Sequence, residues 1–225
     1  MTTAILLAAG KSARMGANVD KAFLSLVDKP VVAWSLLAFE RCPDIDGIVL
    51  VVRKDQILAS KAVVKMFGIS KVAKIVAGGA KRQESVQAGL AACDLNTRYV
   101  VVHDAARPLV TPEVVSEVVK NVKRFQAVTV GCPMSDTVKR CSKGKGATVV
   151  ETIDRDHLWA VQTPQAFLIG ELRAAHRALG KREVTDDCTA IELNGGTVKI
   201  LPNMRPNFKI TTVEDLQAAG ALLKK

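Results

Sequence analysis

Ile5-Leu6-Leu7-Ala8-Ala9-Gly10-Lys11-Ser12-Ala13-Arg14-Met15-Gly16 decides the fold. An apolar run ends in Ala-Ala-Gly, small and basic residues follow, and Lys21 comes soon after. Side chains reduced to a methyl group or a hydrogen let a ligand approach the backbone and its N–H groups. Arg14 and Lys21, beyond that turn, suit a polyanion, most simply a nucleoside triphosphate. Arginine offers a planar fork and lysine a mobile point charge; two solvated surface cations are the plainer alternative. The stretch is neither a P-loop, since no G-x-x-x-x-G-K-[ST] is present, nor G-x-G-x-x-G, because Ser12 stands where a second glycine is expected.

Outward from this turn, strand and helix alternate. Short runs rich in Val and Ile cover Ala4–Ala8, Ile48–Val52, Val72–Val76, Tyr99–His103 and Ala127–Cys132. Apolar residues in succession are the mark of parallel strands covered on both faces. Helices are predicted between them over Val31–Glu40, Ile57–Phe67, Gln83–Ala92 and Pro112–Phe125. Thr111-Pro112-Glu113 is a helix-start signal, with Thr as cap, Pro in the first turn and an early acid. The rhythm implies an open α/β sheet with right-handed crossovers, which binds ligands at the carboxyl ends of its strands.

The rhythm breaks after Cys132. Val138–Ile153 reads as two short polar strands around Ser142-Lys143-Gly144-Lys145-Gly146, a hairpin. A lone hairpin is marginal in water, so it packs on something: a second subunit, or its own domain. Helices around Leu168–Leu179 and Asp187–Leu193, a strand near Val198–Leu201 and a helix over Val213–Leu223 complete the chain. Thr163-Pro164-Gln165 is expected in a loop.

Composition narrows the function. With 225 residues, 48% of them hydrophobic, the chain supports one well-buried domain. A net charge of +10 favours anionic ligands, and aromatics at 4% are too scarce for base-stacking platforms. Basic residues recur beside glycines without forming a tail, which favours a small phosphorylated substrate over nucleic acid. Five cysteines without a C-x-x-C pair argue against a disulfide framework or structural zinc and for a reducing compartment. The first residues enter a strand directly, without a leader pattern. No apolar stretch approaches the ~20 residues of a membrane span. A cytoplasmic protein is expected.

Two further constellations follow strands. In Ala77-Gly78-Gly79-Ala80-Lys81-Arg82-Gln83-Glu84-Ser85-Val86, two glycines permit close approach of a base or ribose, and Ser85 offers a hydrogen bond; an ordinary glycine turn is the alternative. In His103-Asp104-Ala105-Ala106-Arg107-Pro108, an acid at the end of a buried strand suits a sugar hydroxyl or a divalent metal. Mg²⁺ takes one or two carboxylates plus substrate phosphates and water. Arg107 suits a second phosphate, and a turn cap is the plain reading of Asp104. Thr185-Asp186-Asp187 reads equally as a helix cap and acidic first turn.

Together with Asp136-Thr137, Thr163-Pro164-Gln165, Thr185-Asp186 and Lys209, these motifs occur in the order seen in the 2-C-methyl-D-erythritol 4-phosphate cytidylyltransferase family, which the whole chain resembles. The resemblance implies a single nucleotidyltransferase domain over 1–225, Rossmann-like and mostly parallel, with 137–154 as a protruding hairpin arm that dimerises. It implies CTP held by Ala8, Ala9, Gly10, Gly78, Gly79 and Ser85. It implies catalytic roles for Arg14 and Lys21 at the α-phosphate and for Arg155 and Lys209 at the sugar phosphate. Asp104, Arg107, Thr137, Thr163 and Thr185 match positions lining the sugar-phosphate site. Mg²⁺ is the implied cofactor, with Asp104 as its ligand directly or through water. The implied partner is a second copy of the chain, from which Thr137 and Arg155 reach across. The chain departs from the family pattern at Ser12, Asp20, Ala22 and Ala80. Another acceptor, such as ribitol 5-phosphate, and a nucleotide-binding protein without catalysis are the alternative functions.

Overall fold

A computed structural model describes residues 1–10, 20–143 and 146–224. The predicted open sheet is present. Its seven strands run in the order β11-β7-β10-β6-β1-β4-β5. These are β1 (Thr2–Ala8), β4 (Gly47–Val52), β5 (Val72–Ala77), β6 (Tyr99–Asp104), β7 (Ala127–Pro133), β10 (Trp159–Leu168) and β11 (Lys199–Pro202). β1 pairs in parallel with β4 and β6, β4 with β5, and β7 with β11. Alternation along β1 divides the core: Ala4, Leu6 and Ala8 join one cluster with Leu36, Phe39 and Val115, while Ile5 and Leu7 join another with Val86, Leu90 and Leu172. Helices α1 (Val31–Arg41), α2 (Ile57–Met66) and α4 (Pro112–Phe125) cover the first face, and α3 (Arg82–Ala92), α5 (Ile169–Ala178) and α6 (Asp187–Leu193) the second. Burial on both faces is why β1 and β4 carry uninterrupted apolar residues. α3 lies close on β1 because Gly89 lacks a side chain: a Cβ there would stand 2.4 Å from Ile5 Cγ2.

β10 corrects the sequence reading. It lies antiparallel between β6 and β7, at the position where a loop was expected. Proline in an inner strand removes a ladder donor. The register shifts between Val161 and Gln165, and the bulge accommodates Pro164 there. Thr163-Pro164-Gln165 is therefore buried beneath the sheet's functional end. α4 starts at the predicted Pro112, although the Thr111 hydroxyl makes no capping bond. A short pair, β2 (Ser25–Leu26) and β3 (Lys29–Pro30), was not foreseen.

The expected hairpin is a separate two-stranded sheet of β8 (Val138–Cys141) and β9 (Val149–Ile153). Most of its residues are exposed, including Val149 and Val150. α7 (Val213–Leu223) closes the described chain; it starts with Thr212 accepting from the Asp215 N–H. Among the described residues, no helix is long and apolar enough to cross a membrane.

Candidate active site

The carboxyl ends of β1, β5 and β6 meet at one cleft open to solvent. Ala8, Ala9 and Gly10 leave β1 along one wall, and Gly79 to Arg82 and Ser85 form another. Lys21, Asp104 and Lys209 add charged groups to the lining. Helix α3 begins here, and its first-turn N–H groups favour an anion. Lys21 sits in a 3-10 turn, Lys21–Phe23, whose N-cap is Asp20. Oδ1 of Asp20 accepts from the Ala22 N–H at 3.1 Å, and Oδ2 lies 4.0 Å from Arg53. Desolvation raises the Asp20 carboxyl above its ordinary range, against the capping bond and Arg53.

The glycine turn divides in role. Gly79 is on the cleft wall, but Gly78 is not. A Cβ at Gly78 would lie 2.6 Å from both Ala9 Cβ and Ser85 Oγ. Its missing side chain thus serves packing of the turn against β1. Ser85 Oγ accepts from the Gly79 N–H at 3.2 Å and supports the same turn.

Asp104 is the electrostatic centre. Lys209 Nζ is 2.8 Å from its Oδ2, Arg82 Nε 3.6 Å from Oδ1, and Arg107 Nε 3.9 Å from Oδ2. Burial disfavours the carboxylate, but Lys209, Arg82 and Arg107 outweigh it and hold the group well below the usual range. The backbone N–H of Asp104 donates to Thr163 Oγ1 at 3.1 Å. Thr163 is itself bonded to the buried His103 and stands behind the cleft rather than on its wall. Arg107 is likewise turned inward, donating to the Asn207 carbonyl at 2.7 Å. Asn207 donates to Thr163 O at 2.9 Å, and Ile210 N–H to Ala106 O at 2.8 Å, so the segment bearing Lys209 is fixed on both sides.

Thr137, Arg155 and Thr185 are exposed and do not line this cleft. Arg155 donates to the Ser135 carbonyl beside the hairpin. Arg14 lies outside the described residues. Cys188 is buried, and burial pushes its thiol well above its ordinary range, which disfavours the reactive thiolate. Arg82 and Lys81 are cleft cations to which the sequence reading assigned no role; Lys81 is paired with Glu183, and Arg82 faces Asp104. The signal for Arg82 was position, three residues after the second glycine and at the start of a helix.

Direct metal ligation by Asp104 does not fit the geometry, because both carboxylate oxygens face cations. Among the described residues there is no group of three or more His, Cys, Asp or Glu able to hold a metal ion. The cleft is built instead to receive anions.

Residues 2–225 match the family model described as 2-C-methyl-D-erythritol 4-phosphate cytidylyltransferase. The protein of that name from Pelotomaculum thermopropionicum is 42% identical over 224 residues, covering 98% of this chain and 93% of its own. Its namesake from Desulforamulus reducens is 40% identical, with 99% and 95% covered. Among solved structures, the 4-diphosphocytidyl-2C-methyl-D-erythritol synthase of Anaerococcus prevotii is 29% identical with a TM-score of 0.85, covering 100% of this chain and 96% of its own. The cytidylyltransferase of Thermus thermophilus is 28% identical with a TM-score of 0.78, and each chain is covered completely.

Proposed function

The chain belongs to the 2-C-methyl-D-erythritol 4-phosphate cytidylyltransferase family, and we propose from its cleft how it performs that reaction. It is a nucleotidyltransferase that joins CTP and 2-C-methyl-D-erythritol 4-phosphate into 4-diphosphocytidyl-2-C-methyl-D-erythritol, with release of pyrophosphate, in the non-mevalonate isoprenoid pathway. One observation carries the reading: Ala8, Ala9, Gly10, Gly79, Ser85, Lys21, Asp104 and Lys209 line one cleft at the strand ends.

In this reading a phosphate oxygen of the sugar phosphate attacks the α-phosphorus of CTP as the bond to pyrophosphate breaks. An ionised phosphate is already a nucleophile, so no side chain takes a proton. The protein's work is alignment and charge. Alignment is worth roughly 7–11 kcal/mol in well-oriented systems. Fixed cations then act where negative charge is redistributed in the transition state. The turns after β1 and β5 receive the nucleotide, with Lys21 and Arg14 at the α-phosphate. Lys209, held by Asp104, faces the incoming phosphate. Mg²⁺ bound with the nucleotide would supply further neutralising charge at the phosphates, and Asp104 would order Lys209 and Arg82 beside it.

The exposed hairpin supports a homodimer in which Thr137 and Arg155 reach the partner's cleft; Val149 and Val150 supply apolar surface to cover. Asp20 is committed to capping the turn that bears Lys21, which favours a working enzyme over a binding protein without catalysis. Pyrophosphate release tests the reading, with CTP against ATP, GTP and UTP, and 2-C-methyl-D-erythritol 4-phosphate against ribitol 5-phosphate. Release with CTP and the methylerythritol phosphate supports it. Preference for ribitol 5-phosphate, or CTP binding without release, overturns it.

A further inference from the structure

Asp187 is fully buried in the first turn of α6, yet it is an acid. A carboxylate is costly to bury, and a neutral amide would fill the same space without that penalty. Its oxygens face in two directions. Oδ1 is 2.9 Å from Nε2 of the buried His176 on α5, and Oδ2 is 2.8 Å from Nη2 of Arg82 at the start of α3. Its backbone N–H donates to Gln165 Oε1 of β10 at 3.3 Å. Burial raises the carboxyl, but Arg82 and His176 outweigh it and keep the group ionised.

Capping does not explain this acid. The cap of α6 is Asp186, whose Oδ1 accepts from the Thr189 N–H at 3.0 Å. Arg82 instead spans the two carboxylates, with Asp187 behind the cleft and Asp104 on its wall. Asp104 in turn carries Lys209. His176, Asp187, Arg82, Asp104 and Lys209 thus form a continuous chain from the core between α5 and α6 to the cleft.

We propose that Asp187 is a positioning residue for nucleotidyl transfer: from beneath the cleft it holds Arg82 on the wall against Asp104, and so sets Lys209 and the cation pair that meets the substrate phosphates. His176 fixes the rotamer of Asp187. The proposal rests on the cytidylyltransferase reading and adds Arg82 to the groups that touch substrate.

The test is a double-mutant cycle on the full-length enzyme with Asp187→Asn and Arg82→Ala. Each single variant is expected to lower kcat at least tenfold, with a smaller change in KM. The double variant is expected within about threefold of Arg82→Ala alone, because contacting residues acting through one interaction are not additive. Multiplied penalties, or wild-type kcat in folded Asp187→Asn, overturn the proposal. Should Asp187→Asn not fold, His176→Gln replaces it; reduced kcat at normal folding supports the chain, and unchanged kcat overturns it. A second readout needs no turnover. The Arg82 Nε–H NMR signal is expected to be protected from solvent exchange in the wild type and exchange-broadened in the variant. Equal protection in both overturns the clamp, even if the functional reading itself has failed by lack of pyrophosphate release.

Discussion

Lys209 Nζ lies 2.8 Å from Asp104 Oδ2, across 105 positions of sequence. That pair joins the end of β6 to the segment before α7 and makes the cleft a product of topology. Asp104 is held from several directions: Lys209, Arg82 and Arg107 oppose its charge, and Thr163 accepts its backbone N–H. The carboxylate orders the cations while leaving the cleft positive enough for two phosphorylated substrates.

Removing the acid should therefore harm the fold as well as the chemistry. Asp104→Asn is expected to destabilise the protein by about 3 kcal/mol, the cost of breaking one side of a largely buried ionic cluster. Chemical denaturation of variant and wild type measures it, and a loss below about 1 kcal/mol would mean that the cations relax into solvent unaided.

Lys21→Ala and Lys209→Ala are each expected to reduce kcat by roughly 10²-fold or more, the usual penalty for losing one preorganised group at a charged transition state. KM for CTP should change less. Steady-state kinetics with both substrates varied distinguishes this from simple binding, in which KM would rise while kcat held.

The two glycine sites should respond oppositely to a methyl group. Gly78→Ala forces contact with Ala9 and Ser85 and is expected to cost about 1–3 kcal/mol of stability by overpacking. A Cβ at Gly10 meets nothing within 4 Å. Gly10→Ala should leave the melting temperature unchanged and raise KM for CTP by crowding the backbone turn. Equal melting temperatures for both variants would contradict this division.

His103 sets an acid limit on stability. Burial pushes its imidazole down to about 3, despite the neighbouring Asp104. In the unfolded chain a histidine titrates near 6.5, so the unfolded state gains a proton first as pH falls. Stability is then complete above about pH 6.5 and lost between that value and about 3, by up to roughly 1.4 kcal/mol per pH unit. Asp104, whose pKa is lowered, adds its own loss only at pH below the ordinary carboxylate range, as its stabilising charge is neutralised. His103→Gln should flatten the profile between pH 6.5 and 4.5; an unchanged slope would assign it to other groups.

The parallel part of the sheet was legible because β1, β4 and β6 are buried on both faces and write that burial as continuous apolar residues. The cleft was legible where a ligand loop directly follows such a strand, at Gly10, Gly79 and Asp104. β10 was hidden by Pro164 and by polar Gln162, Thr163 and Gln165, whose partners come from distant segments. Gln165 reaches Asp186 at 2.8 Å, and Thr163 serves Asp104. Nothing local marks those contacts. Asp187 was similarly obscured, since an acid in a first helical turn ordinarily needs only the helix end to explain it. At Gly78 the sequence could not show that the space a side chain would fill is taken by Ala9 and Ser85.

The central claim, a single in-line displacement at the α-phosphorus with both phosphates held in one cleft, is tested most directly by stereochemistry. CTP carrying sulfur at one α-phosphate position is turned over with 2-C-methyl-D-erythritol 4-phosphate, and the configuration at phosphorus in the product is determined. Inversion is the expected result. Retention would require two displacements through a covalent nucleotidyl intermediate and would contradict the account.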